Sequence, residues 1–253
     1  MSPPDAPQTN ASPKPDSGLV SQQDVEEAWS PEAVIAKLPP SQQPPTTSSS
    51  SSPLPFFHLL ERLKTTKREG WRRFGINHGE SISDHMYRMS IMTMCAPAAL
   101  RARLDIPRCT MMALVHDMAE ALVGDITPVD PISKTEKSRR EAATMDYLCN
   151  NLLGRCGPSI GSAAPADIRA VWQEYEDDET PEAHFVHDVD KMELLLQMME
   201  YEKSAQGKLD VGEFTWVATK ITLPEMKQWA EEVFEERRQF WKGLGKEPSW
   251  GGD

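Results

Sequence analysis

His116 and Asp117 stand side by side in Ala113-Leu114-Val115-His116-Asp117-Met118-Ala119-Glu120, a segment whose other residues read as a buried helix. An imidazole and a carboxylate seldom enter such a run unless something compensates their desolvation. A divalent cation would do so, but one helix supplies too few ligands to hold it. Other helices must therefore close around the same point. On α-helical spacing Glu120, four residues after His116, falls on the same face. The segment predicts helices converging on a metal with a further carboxylate beside it.

The rest of the chain agrees with an all-helical body. Phe56, Phe57, Leu60 and Leu63 give a first apolar stripe. A second helix starts at Ser81 or Ser83 and carries His85, Met89, Met92 and Ala96 at helical spacing. A third is predicted from near Pro107 through Leu122, stopping at Gly124. Further helices are read over Lys134–Leu153, Pro165–Glu176 with Trp172 inward, Pro181–Lys203 and Pro224–Trp241. The sequence has no β-alternating run of useful length, no Gly-rich phosphate loop and no internal repeat. Short connections and varied stripes predict an all-α orthogonal bundle rather than a coiled coil.

The bundle is expected to span residues 54–243, with 244–253 as a C-terminal tail. Residues 1–53, rich in Pro and Ser and poor in large apolar side chains, are expected to be a disordered tail. Within them Ser30-Pro31-Glu32 has the form of a helix start before Ala33–Leu38, read as local propensity or a docking segment. Basic residues number 27 against 39 acidic, and the net charge of −12 disfavours a nucleic-acid backbone or an anionic membrane as partner. No apolar run approaches the roughly 20 residues of a membrane span, and the N-terminus lacks a signal peptide's layout. Cys95, Cys109, Cys149 and Cys156 form no CxxC pair and fit thiols of a reducing compartment, cytoplasmic or nuclear.

Of six histidines, His85 interrupts an apolar face, as His116 does. Two imidazoles and a carboxylate on packed helices suit a first-row divalent ion. A fourth ligand must come from elsewhere, and Asp188 and Asp190 both lie on the long helix that starts at Pro181. Spacing does not choose between them. Val186 and Leu194 at i−4 and i+4 point Asp190 inward, whereas Asp188 neighbours His184 and Met192.

Ordered blocks in this sequence carry a resemblance. Glu80-Ser81-Ile82-Ser83-Asp84-His85-Met86-Tyr87-Arg88-Met89, the His116-Asp117 segment and Gly124-Asp125-Ile126-Thr127-Pro128 resemble the HD-domain superfamily of metal-dependent phosphohydrolases. Downstream, Glu182-Ala183-His184-Phe185-Val186 and Asp190-Lys191-Met192-Glu193, with Gln197 and Glu200-Tyr201-Glu202, resemble the fungal and animal branch of the 5′-deoxynucleotidases. The resemblance runs from about Leu54 to Trp241.

It implies an HD-domain fold that hydrolyses deoxyribonucleoside 5′-monophosphates to deoxynucleosides and phosphate, in a homodimer. It also implies His85, His116, Asp117 and Asp190 as ligands of one divalent ion. Ligand softness leaves Mn, Co, Mg, Zn and Fe all open. Glu120 would activate or orient the attacking water, and Asp125 would lie at the substrate. The family's Arg-x-Gly-Trp segment matches Arg68-Glu69-Gly70-Trp71, with Arg68 for the phosphate and Trp71 near the sugar.

Those roles are chemically sound. A cation polarises a phosphoryl oxygen and lowers the pKa of a water it binds. A guanidinium binds phosphate bidentately, and a flat indole rejects a 2′-hydroxyl by shape. Glu80 is read as a helix-start carboxylate, and His58, His78, His184 and His187 as structural or surface residues. No histidine lies between Asp117 and His184, which favours one metal and a monoester. The alternatives are a pyrophosphohydrolase or phosphodiesterase of the same superfamily, or a non-catalytic nucleotide sensor.

Overall fold

A computed structural model describes residues 29–44, 51–161 and 163–251. Among the described residues there are helices and no strand, with a single antiparallel bridge between Lys67 and Ser81. The α-helices are α1 (Pro31–Lys37), α2 (Leu54–Thr65), α3 (Glu69–Arg73), α4 (Ile82–Met94), α5 (Ala98–Arg101) and α6 (Ile106–Val115). They continue as α7 (Glu120–Val123), α8 (Lys134–Asp146), α9 (Ala164–Asp177), α10 (Pro181–Ser204) and α11 (Pro224–Gly243). A π-helical turn, Tyr147–Leu153, extends α8, and a 3₁₀ segment, Gly212–Lys220, joins α10 to α11.

Local chemistry sets most helix starts. Ser81 and Asp84 form a reciprocal capping box on α4, Asp105 caps α6 and Thr180 caps α10. Proline occupies the first turn of α6, α10 and α11, where its missing N–H costs nothing. Helices α4, α6 and α10 pack on one another and form the centre of the molecule. Helix α10 is buried nearly all round, from Ala183 and Phe185 through Met198 and Glu202. Its far end is fixed to α11 by the fully buried pair Glu202–Arg237, joined by the Trp241 indole N–H at 2.7 Å.

The helix expected over Pro107–Leu122 is broken. It ends at Val115, and residues 116–119 turn before α7 begins at Glu120. Trp172 Nε1 donates to the His116 carbonyl at 3.0 Å, and that oxygen would have accepted the Glu120 N–H in a continuous α-helix. The Glu120 N–H bonds Asp117 O instead, as Met118 bonds Val115 and Ala121 bonds Met118. This tighter pitch brings positions three apart into register, so Glu120 shares its face with Asp117 rather than with His116.

Two expectations about the chain ends change. Residues 29–44, part of the stretch expected to be disordered, are ordered: Ser30 caps α1, and α1 packs on α7 and α8. Trp29 lies 5.5 Å from the Arg140 guanidinium, and Arg62 bridges Gln42 to the Ala121 carbonyl. Apolar contact through Pro31, Val34, Ile35 and Leu38 compensates the ordering of this segment. The disorder expected for 1–28 and 45–50 lies outside the described residues. At the other end, 244–251 folds back, with Trp250 against Phe234 and Arg237 and the Gly251 N–H bonded to Gly212 O.

Candidate metal centre

Helices α4, α6 and α10 meet at His85, His116 and Asp190, and one ligand atom from each lies within 4.8 Å of the others. Both imidazoles are buried, His85 completely. His85 Nδ1 faces Glu193 Oε2 at 2.6 Å, and His116 Nδ1 faces the Ala113 carbonyl at 3.1 Å. A carbonyl only accepts, and so does an ionised carboxylate, so each Nδ1 carries the hydrogen. Each Nε2 is turned inward. His116 Nε2 lies 3.2 Å from Asp117 Oδ2, and His85 Nε2 lies 3.1 Å from Asp190 Oδ1 and 3.9 Å from Asp117 Oδ2.

Neither Nε2 has an aligned hydrogen-bond partner among the described residues, although both are buried. Buried polar atoms are almost always satisfied. Two orphaned imidazole nitrogens facing two carboxylates fit the donor set of a divalent cation. The charges fit as well. Burial alone would raise Asp117 and Asp190, but His116 and Arg68 around the first, and His85 above all around the second, hold both well below the usual carboxylate range. Burial and Arg68 oppose a proton on His85, yet Glu193 and Asp190 outweigh them and lift the imidazole to about 10. Carboxylates that draw a proton to this ring draw a cation to it equally.

Arg68 stands over the cluster. Its position is set by the bridge to the start of α4, where the Arg68 N–H donates to Glu80 O and the Ile82 N–H to Thr66 O. Arg68 Nη1 lies 3.0 Å from Asp117 Oδ2 and 3.9 Å from Asp125 Oδ1. Asp125 Oδ2 accepts the Glu69 N–H at 2.5 Å, so Asp125 ties the loop after α7 to the start of α3. Gly124, at φ 79° and ψ 168°, makes the turn that delivers Asp125, in a region closed to residues with a Cβ. Glu120 is buried and its Oε2 has no partner among the described residues. Burial, then the Asp117 and Asp125 charges, raise its pKa well above that of an ordinary glutamate. A cavity of about 410 Å³ opens beside Asp125, lined also by Lys67 and Arg72.

The structure thus brings together His85, His116, Asp117, Asp190, Arg68, Glu120 and Asp125. It does not bring Trp71 to the open side. That residue is 3 % exposed, its indole N–H donates to Glu80 Oε1 at 2.7 Å, and Tyr201 and Phe214 enclose its ring. Glu80 is no simple helix-start carboxylate: burial and Glu193 push it up to about 7.

Asp188, the rival of Asp190, is the more buried of the two, for a structural reason. It accepts the N–H groups of Thr222 and Leu223 at the start of α11. The inward position expected for Asp190 therefore belongs to Asp188, and Asp190 is the one that faces the cluster. Glu193, Arg88 and Tyr175 received no role from the sequence, though Glu193 and Arg88 sit three residues after Asp190 and His85. Tyr175 lies with its ring 4.9 Å from that of His116 and is stacked on His187 at 3.9 Å.

A family model described as "HD domain" matches residues 60–229. The chain is 45 % identical over 192 residues to the 5′-deoxynucleotidase hdd1 of Schizosaccharomyces pombe, covering 76 % of this chain and 93 % of that one. To the 5′-deoxynucleotidase YGK1 of Saccharomyces cerevisiae it is 42 % identical over 191 residues, covering 76 % and 86 %. The solved structure of HD domain-containing protein YGK1 aligns with a TM-score of 0.56 at 30 % identity, over 84 % of this chain and 98 % of that one. The matched span holds every residue that meets at the cluster, His116-Asp117 included. The chain belongs to the HD domain family.

Proposed function

We propose that this protein is a metal-dependent phosphomonoesterase that converts deoxyribonucleoside 5′-monophosphates to deoxynucleosides and phosphate. The carrying observation is the pair of buried Nε2 atoms, without an aligned partner among the described residues, that face Asp117 and Asp190, with Arg68 and Glu120 at the same point. Relatives that bear the name 5′-deoxynucleotidase support it. His85, His116, Asp117 and Asp190 would hold one divalent ion, which supplies Lewis acidity toward the phosphoryl group and toward water.

The chain's own residues do the rest. Arg68 donates to the phosphate oxygens, and the Asp117 and Asp125 charges keep it fixed and ionised. Glu120 Oε2, without a partner among the described residues, takes the proton of the attacking water and can return it to the leaving 5′-oxygen. Asp125 positions Arg68 through Glu69. Trp71, enclosed by Tyr201 and Phe214, contributes by holding Glu80 and α3 in place rather than by touching the sugar.

Three finer points belong to the same proposal. One ion suffices, since no histidine lies between Asp117 and His184. The chain pairs with itself, and exposed Tyr87, Ile91 and Met94 on α4 offer an apolar stripe for this. Its four cysteines are free thiols suited to the cytoplasm or nucleus.

The test is phosphate release from matched deoxyribo- and ribonucleoside 5′-monophosphates by metal-stripped protein resupplied with Mn, Co or Mg. Release from the deoxy series, dependent on metal and lost in His116→Ala, is expected. Metal-loaded protein that releases phosphate from no monophosphate would overturn the proposal.

A further inference from the structure

On α4, Arg88 follows His85 by three residues, and on α10, Glu193 follows Asp190 by three. Positions three apart share a helix face, so these two proposed ligands each have a charged companion one turn on. The two helices interlock through these companions. Glu193 Oε2 lies 2.6 Å from His85 Nδ1, and Glu193 Oε1 accepts from Arg88 Nε at 2.8 Å. Arg88 donates onward to Gln197 Oε1 at 2.8 Å and Glu200 Oε2 at 2.7 Å, both further along α10. Glu193 and His85 have no exposed side-chain surface, whereas Arg88 reaches partly into solvent.

An ionised carboxylate at that depth persists only with a paired charge. Arg88 supplies it. An ionised Glu193 can only accept, so Nδ1 keeps its hydrogen and Nε2, facing Asp117 and Asp190, is the nitrogen at which a metal would replace a proton. His116 is fixed differently, by the neutral Ala113 carbonyl of its own helix. Glu80, a further carboxylate near His85, is engaged with Trp71 and makes no hydrogen bond to the ring.

We infer that Glu193, held by Arg88, is a positioning residue that fixes the tautomer and ring plane of His85 for metal binding. This rests on the metal-centre proposal above. Carboxylate partners behind a ligating histidine orient the ring and strengthen the ligand, and their loss lowers metal affinity about 10- to 100-fold.

The experiment is Co(II) titration of the metal-stripped full chain, read by the visible absorption bands of the ion and by chelator competition. Circular dichroism reports the fold of each variant. Wild-type protein should bind Co(II) and His116→Ala should not; if wild-type protein binds none, the metal-centre proposal itself fails. Glu193→Ala should weaken Co(II) about 10- to 100-fold and shift the bands, and Glu193→Gln, which keeps an acceptor, should recover part of the loss. Histidine-selective ¹⁵N NMR of the Zn(II)-loaded protein should show the His85 Nδ1–H in wild type and lose its protection in Glu193→Ala. Should Glu193→Ala fail to fold, the isosteric Glu193→Gln and the half-exposed Arg88→Gln decide, both expected to weaken Co(II) several-fold. Folded variants with wild-type Co(II) affinity and bands would overturn the inference.

Discussion

Asp188 and Asp190, two positions apart on α10, are given opposite tasks, and alanine at each should separate them. Asp188 is 1 % exposed and accepts the Thr222 N–H at 3.0 Å and the Leu223 N–H at 2.8 Å. Its loss strands two backbone donors at the start of α11. A hydrogen bond to a charged group contributes about 1.5–3 kcal/mol, and water recovers part where the site is partly open, giving about 3 kcal/mol for the pair. In a domain of this size each kcal/mol moves Tm by about 2–4 °C, so Asp188→Ala should melt roughly 6–12 °C lower. Its metal affinity should match wild type.

Asp190 is different. Its side chain is 29 % exposed, and its close neighbour is His85 Nε2 at 3.1 Å. Removing it takes a partner from the buried His85 ring, so the metal-stripped protein should lose stability too, and metal affinity is the quantity that separates the two positions. Metal affinity should fall by more than about 100-fold, beyond what loss of an outer partner causes. Thermal melts of metal-stripped protein, with and without Mn(II), and calorimetric titration measure both quantities. Loss of Mn(II) binding in Asp188→Ala, with binding retained in Asp190→Ala, would refute the assignment.

Glu120→Gln keeps the shape and removes the proton acceptor, so turnover should drop about 10²- to 10⁴-fold with metal affinity little changed; parallel assay and titration check this. Gly124→Ala forces a Cβ into φ 79° and should cost about 1–3 kcal/mol, with a fall in kcat as Asp125 shifts, seen by melting and by phosphate release. Glu141, 8 % exposed, is raised from 4.5 to about 7 by burial, against the pull of Lys137. Between those values the folded chain keeps a proton that the unfolded chain has released, so this group's contribution to stability falls as pH rises through the window. Glu141→Gln should therefore stabilise the protein by about 2 kcal/mol near pH 8 and leave it unchanged near pH 4. Melts at both ends of that range test the sign.

Where a helix begins was legible because the cause is local. Ser81, Asp105 and Thr180 satisfy first-turn N–H groups from within three residues, and the prolines at 107, 181 and 224 preset the backbone. The break after Val115 was not legible, because its cause is distant. Ala113–Leu122 suits an α-helix as well as the tighter turn, and the choice depends on Trp172, which comes 56 residues after His116 in sequence and takes its carbonyl. The docking of α1 is likewise set by α7 and α8 rather than by its own short stripe.

The candidate site divides along the same line. Histidines in apolar stripes and adjacent His and Asp residues are anomalies visible in one dimension, and the structure gathers them. Facing could not separate Asp188 from Asp190, because α10 is packed on nearly every side and offers no polar face to serve as reference. What distinguishes them is what each meets: Asp188 meets free N–H groups of α11, and Asp190 meets an imidazole nitrogen without a partner. The unmet demand on the other side of the contact supports the proposal of Asp190 as a ligand, and depth of burial does not.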